Sequence, residues 1–113
     1  MSQYMVLLKG SMKGWEKLGP EESQRIIQKY ESWVQKLKSE NKFKSGSPLK
    51  NGNWVIKNRE GVTYADGPFT ETKETLTGYF VIEADNNDDA VEIAKGCPAL
   101  THGEYVEVFQ LGH

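Results

Sequence analysis

The clearest pattern in the sequence is a stripe of apolar side chains with helical spacing in the first half of the chain. Its members recur at i, i+1, i+4, i+7, i+8 and i+11: Ile26, Ile27, Tyr30, Trp33, Val34 and Leu37. Gly19 is acceptable as an N-cap, and Pro20 suits the first helical position because its missing N–H would be unbonded there anyway. The pattern therefore predicts an amphipathic helix from Pro20 to Glu40.

Three other segments have the patterns of strands. Tyr4–Leu8 and Gly78–Ala84 carry apolar residues on both faces, which is typical of strands that are covered on each side. The last predicted strand, Tyr105–Gln110, alternates instead, and one of its faces carries Val106 and Val108. Its other face carries three larger side chains: Tyr105, Glu107 and Phe109.

The middle of the chain consists of short runs broken by residues that favour turns. Ser45–Pro48, Asn51-Gly52 and Asn58–Gly61 each predict a turn. The runs that flank the last of these turns, Trp54–Ile56 and Val62–Tyr64, predict a β-hairpin.

A second helix is predicted to begin at Asp85 or Asn86 and to end at Gly96, shortly before Pro98. The element order is then strand, helix, hairpin strands, strand, helix, strand. This order matches the split βαβ arrangement, so the sequence predicts an α+β fold with a ferredoxin-like βαββαβ subunit.

The face of the sheet opposite the helices has no local cover in this arrangement. Tyr105 and Phe109 place aromatic groups on that face. Because a large apolar surface favours burial, we expect self-association through this face. The sequence predicts a homodimer that buries on the order of 1,600 Å² or more in total.

Composition narrows the class of protein without naming its chemistry. The chain has 113 residues, which predicts one domain spanning residues 1–113. With 14 basic and 16 acidic residues, it has no field that would gather nucleic acid or anionic lipid. The longest apolar run, Met5–Leu8, is too short for a membrane span, and the start lacks the features of a secretion signal. A single cysteine, Cys97, fits a reducing compartment, so we expect a cytoplasmic protein without nucleic-acid or membrane partners.

A set of short segments distributed over the chain is similar to one known family. The segments are Asp66–Glu74 (DGPFTETKE), Gly78–Ile82, Asp88–Ala90, Cys97-Pro98 and Val106–Val108. Together they resemble the DGPF branch of the YCII-related family, and the resemblance covers essentially the whole chain. It implies a dimeric α/β barrel built from two ferredoxin-like subunits.

This sequence departs from the family pattern at two places. Classical members carry a histidine in the first long helix that is proposed to act with an aspartate as an acid–base dyad, whereas Tyr30 lies near that position here. A phenol with a pKa of ~10 is a poor base at neutral pH. Relatives of this branch commonly read Glu-Val-Arg in the last strand, and here Phe109 replaces the arginine that would lie beside Glu107.

Two carboxylates are the candidate catalytic residues. Asp66 either forms the turn of Asp66–Pro68 or presents its carboxylate at the mouth of a cleft, where Lys73 would pair with it or meet an anionic ligand. Glu107 lies between two aromatic residues, and carboxylates are rarely buried without a partner. It therefore either pairs across the dimer interface or lines a ligand cavity.

Four residues are candidates for ligand binding: Tyr30, Lys73, Tyr79 and His102. The two tyrosines would donate hydrogen bonds, and His102 lies in the turn before the last strand, where a histidine is usually exposed. Two histidines and one cysteine at wide spacing do not form a zinc pattern, so we expect no metal and no other cofactor.

These observations predict a dimeric module that binds a small organic molecule in a cleft beside the sheet or at the dimer interface. They leave open whether the protein is an enzyme. One alternative is an isomerase- or lyase-like proton-transfer enzyme that uses Asp66 or Glu107, by analogy with other dimeric barrels. Another is a regulatory interaction protein, because relatives in this branch are often encoded beside sigma-factor genes.

Overall fold

The computed structural model describes residues 1–10, 17–50, 52–65 and 75–112. In chain order the elements are β1 (Ser2–Gly10), α1 (Pro20–Ser39), β2 (Phe43–Pro48), β3 (Asn53–Asn58), β4 (Gly61–Ala65), β5 (Thr75–Ala84), α2 (Asn87–Lys95), a short 3₁₀ helix (Pro98–Thr101) and β6 (Tyr105–Gln110). They form an α+β fold that is compatible with the ferredoxin-like arrangement.

Four of the strands form an antiparallel sheet in the order β2-β5-β1-β6. Alternate residues of β1 are buried, and they face the helices: Tyr4, Val6, Leu8 and Gly10. Leu37 of α1 and Ala90 and Ala94 of α2 belong to the same buried cluster. Both helices therefore cover one face of the sheet, as the element order predicts.

The ends of the two helices follow from their sequences. Helix α1 has Gly19 as its N-cap and Pro20 at its start, which confirms the predicted boundary. At the start of α2, the Asn86 side chain accepts a hydrogen bond from the backbone N–H of Asp89 at 2.8 Å. These caps fix where the chain leaves β1 and β5 to cross the sheet.

Strand β2 of the main sheet differs from the expectation, because it includes the Ser45–Pro48 segment that the sequence predicts as a turn. The predicted hairpin does not join the main sheet and forms a separate two-stranded sheet of β3 and β4. Edge strands tolerate Gly and Pro, and β2 is an edge strand. A Cβ added at Gly46 would lie 2.5 Å from Cδ1 of Phe80, so glycine allows the close approach of β2 to β5. The hairpin exposes three large apolar side chains: Trp54, Ile56 and Val62.

The opposite face of the sheet carries a mixture of apolar and charged side chains. Tyr105 and Phe109 lie there with 37% and 49% of their surface exposed. Between them, Glu107 forms an ion pair with Lys9 of β1. We name this surface, which comprises the outward-facing residues of β1, β5 and β6, the open face.

Candidate functional site

A cavity of about 730 Å³ lies between α1 and the sheet. Helix α1 contributes Ile27, Tyr30 and Val34 to its wall, and β2 and β5 contribute Phe43 and Phe80. Phe80 is the centre of this wall, because its ring stacks against Tyr30 and meets the rings of Trp33 and Phe43 edge-on. The cavity is thus mainly apolar.

The buried polar part of the cavity wall is built around Glu104, which lies just before β6; Glu31, Gln35 and Lys38 of α1 line the cavity from exposed positions. Strand alternation places Glu104 on the same face as Val106, toward the helices, and its side chain is only 3% exposed. A Cβ added at Gly10 would lie 2.6 Å from Cγ of Glu104, so a glycine in β1 makes room for it. Glu104 and Thr77 both line the cavity.

Thr77 reaches Glu104 because of an irregularity in β5. Leu8 pairs with Gly78 and Lys9 pairs with Leu76, so Thr77 is an extra residue on the β5 side of the ladder. Such bulges change the direction of a side chain. Thr77 is buried, and its Oγ1 donates a hydrogen bond to Oε2 of Glu104, with Leu8 O at 3.4 Å as a second acceptor.

His102 and Tyr30 extend these polar contacts beyond Glu104. Gly103 has φ of +86°, a backbone conformation that favours glycine, and the resulting turn places the neighbouring side chains together. His102 Nδ1 lies 3.4 Å from Oε1 of Glu104, and His102 Nε2 lies 3.3 Å from the hydroxyl of Tyr30. The four residues Tyr30, His102, Glu104 and Thr77, which we call the polar cluster, thus form a continuous chain of polar contacts.

The surroundings of this cluster favour neutral forms of two nearby groups. Burial is the main cause that raises the pKa of Tyr30 well above its usual value, and the charges that the Cys97 thiolate and Glu104 carry at high pH raise it further. Burial also raises the pKa of the Cys97 thiol to about 11, a shift that an N–H donor at Ala99 opposes and the charge of Glu104 supports. Tyr30 therefore acts as a hydroxyl donor or acceptor at neutral pH and not as a base.

Comparison with known protein families gives one match over nearly the whole chain. The family model for the YCII-related domain matches residues 2–110. The protein belongs to the YCII-related family. No curated protein matches the chain significantly.

This YCII-related domain brings two of the sequence-predicted site residues together. Tyr30 and His102 are separated by 72 positions in the chain and are in contact in the fold. Tyr30 lines the cavity, whereas His102 lies behind it with a side chain that is 6% exposed, unlike most histidines in turns.

The other predicted residues lie elsewhere. Tyr79 and Glu107 are on the open face of the YCII-related domain, where Tyr79 is opposite Leu7 in the register and Glu107 pairs with Lys9. They are on the other side of the sheet from the cavity. Asp66 and Lys73 lie outside the described residues, as does the whole DGPF segment.

Glu104 and Thr77 are not among the site residues that the sequence predicts. Glu104 had a usable signal, because it lies two positions before Val106 and therefore on the helix-covered face. The sequence carries no such signal for Thr77, because the direction of its side chain depends on the bulge in β5.

Among the residues that the structure describes, no group of three His, Cys, Asp or Glu side chains could hold a metal. The described residues of this YCII-related domain also contain no helical stretch with the length and hydropathy of a bilayer span.

Proposed function

We propose that this YCII-related protein binds a small organic molecule in the cavity between α1 and the sheet. The observation that carries the proposal is the cavity itself, at about 730 Å³. Ligand sites are typically clefts of about 300–1,000 Å³ with apolar walls and a few converging polar groups. The wall formed by Phe80, Phe43 and Val34 supplies the apolar part, and Tyr30, Thr77 and Glu104 of the polar cluster supply the groups that orient a ligand.

The chemistry of the wall favours one class of ligand. Glu104 contributes a buried negative charge, which disfavours an anionic group beside it. A neutral molecule with an apolar body and an N–H or O–H donor would bury its apolar surface against Phe80 and donate to Glu104. The proposed ligand is therefore a neutral, partly aromatic or aliphatic compound with at least one hydrogen-bond donor.

N-phenyl-1-naphthylamine is a suitable probe because it is neutral, apolar and carries one N–H, and its fluorescence rises in apolar surroundings. We expect saturable binding to the native protein. Val34→Phe, which adds volume at the cavity wall, should weaken binding about tenfold or more. Val91→Phe is the matched control, because Val91 is exposed on α2 and is not part of the wall. Equal affinity in native protein and a folded V34F variant would contradict the proposal.

We further propose that the protein is a homodimer joined through the open face, as a dimeric α/β barrel. Apolar side chains on that face support this, since Tyr105 and Phe109 would otherwise remain in water.

The DGPF segment of the sequence supports placing the chain in the DGPF branch of its family. The single cysteine, which is buried, supports a reducing cytoplasmic location.

A further inference from the structure

The polar cluster contains a carboxylate that is almost completely buried. Glu104 has a 3% exposed side chain and forms part of the wall of a mainly apolar cavity. Buried carboxylates are rare, and they require partners that compensate for lost hydration. Here Thr77 and His102 hold its two oxygens, and Gly10 leaves space for its methylene groups. Three positions of the fold therefore place the Glu104 carboxylate at the cavity.

The contacts favour one arrangement of the protons on His102 and Tyr30. The negative charge of Glu104 favours an N–H at the nitrogen of His102 that faces it, which is Nδ1. In the tautomer with its N–H at Nδ1, Nε2 has a lone pair that can accept from the hydroxyl of Tyr30. His102 is thereby held between a donor and an acceptor. It fixes the orientation of the carboxylate without lining the cavity itself.

We propose that Glu104 is a catalytic general base that removes a proton from a carbon acid bound in the cavity. The inference rests on the proposed function, because the substrate must first bind there. The substrate class is a neutral, largely apolar molecule whose C–H bond is activated by an adjacent electron-withdrawing group. His102 is a positioning residue that acts through Glu104.

The proposed step needs no cofactor. The proton moves from carbon to a carboxylate oxygen of Glu104, and the electron pair of the broken C–H bond stays on the substrate. If the proton returns to a different carbon, the product is an isomer; if the electron pair expels a leaving group, the product is that of an elimination. A fixed carboxylate in an apolar cavity suits either reaction, because protein dipoles replace its water shell.

The generic carbon acid 5-nitrobenzisoxazole tests this step. A base removes its ring C–H proton, the electron pair forms the nitrile, the ring N–O bond breaks, and a coloured cyanonitrophenolate is released. We expect the native protein to catalyse this reaction, and Glu104→Gln to lower kcat/KM about 100-fold or more. Glu92→Gln is the control, since Glu92 is exposed on α2 and pairs with Lys95. A native rate equal to that of E104Q would overturn the proposal.

Two further variants separate catalysis from structure. Glu104→Asp keeps the charge but withdraws it by one methylene, so it should also lower kcat/KM, and it provides a test if E104Q does not fold. His102→Ala should lower kcat with KM within about twofold, and His102→Asn, which retains a donor for Glu104, should restore part of kcat. A rise in KM with kcat unchanged would show that His102 affects substrate binding and does not position the base.

The same probe distinguishes the two proposals. If 5-nitrobenzisoxazole displaces N-phenyl-1-naphthylamine but is not converted, the general-base role of Glu104 is wrong and the ligand site stands. If neither compound binds, the proposed function itself is wrong.

Discussion

The imidazole Nδ1 of His102 lies 3.4 Å from Oε1 of Glu104, and the two side chains are 6% and 3% exposed. They come from a single turn, in which Gly103 takes a left-handed conformation between them. Buried pairs of titratable groups are a feature of binding and catalytic sites as well as of structural ion-pair networks. Their position beside an apolar cavity links the turn before β6 to the proposed function.

The hydrogen bond from Thr77 to Glu104 should contribute to stability. Thr77→Val keeps the shape of the side chain but leaves a buried carboxylate oxygen without this donor, so we expect a loss of about 1–3 kcal/mol in unfolding free energy. Urea denaturation measures it. Thr101→Val is the control: its hydroxyl donates to Pro98 O from an exposed residue, and the loss should be at most about 1 kcal/mol. Equal losses in the two variants would contradict the structural role given to Thr77.

Gly46 should be sensitive to even the smallest side chain. A Cβ at this position would lie 2.5 Å from the ring of Phe80 and 3.0 Å from the carbonyl oxygen of Tyr79. Gly46→Ala should therefore destabilise the protein by about 1–3 kcal/mol, through a shift of Phe80 or of β2. In Gly61→Ala the nearest atom is 3.6 Å away, and the change should stay within about 0.5 kcal/mol.

The Phe80 ring offers a direct check on this explanation. If the clash with the ring causes the loss, Phe80→Leu should make the Gly46→Ala change less costly in a double-mutant cycle. Thermal or urea unfolding of the four proteins would measure the coupling. Strict additivity would show that the cost of G46A arises from the backbone alone.

The thiol of Cys97 should be unreactive in the native protein. It is 1% exposed, and with its pKa raised to about 11 only about one molecule in a thousand carries a thiolate at pH 8. Dithiobis(nitrobenzoic acid) should react with the single cysteine slowly at that pH, and rapidly once guanidinium unfolds the chain. Rapid reaction of the folded protein would contradict the burial of Cys97.

The open face should control the oligomeric state. Phe109→Lys introduces a charge into the proposed interface, so light scattering at micromolar concentration should change from twice the mass of the chain to the mass of one chain. Leu100→Lys alters a similarly exposed residue of the 3₁₀ helix, away from the open face, and should leave the dimer intact. A native protein that already scatters as a monomer would refute the dimer.

Most of the architecture could be predicted from local patterns. The stripe in α1, the caps at Gly19 and Asn86 and the alternation in β6 each depend on residues close in sequence, and the structure confirms those elements. Strand β2 could not be predicted in the same way. Its residues have turn chemistry, and their strand pairing depends on the contact between Gly46 and Phe80, which are distant in the chain.

The candidate site depended even more on long-range contacts. Tyr30 and His102 were predicted as separate candidates, but nothing local indicates that they meet. The alternation in β6 assigns Glu104 to the helix-covered face, and it places Glu107, the carboxylate that the sequence favours, on the open face. The direction of Thr77 depends on a register shift that only the paired strands reveal.

The central claim is that the cavity between α1 and the sheet is a ligand site. Its most direct test is a titration of isotope-labelled protein with N-phenyl-1-naphthylamine, followed by two-dimensional amide NMR. We predict that the resonances that shift belong to residues at the cavity, among them Val34, Phe80 and Glu104. Shifts confined to Phe109 and its neighbours on the open face, or to the hairpin around Trp54, would contradict the account.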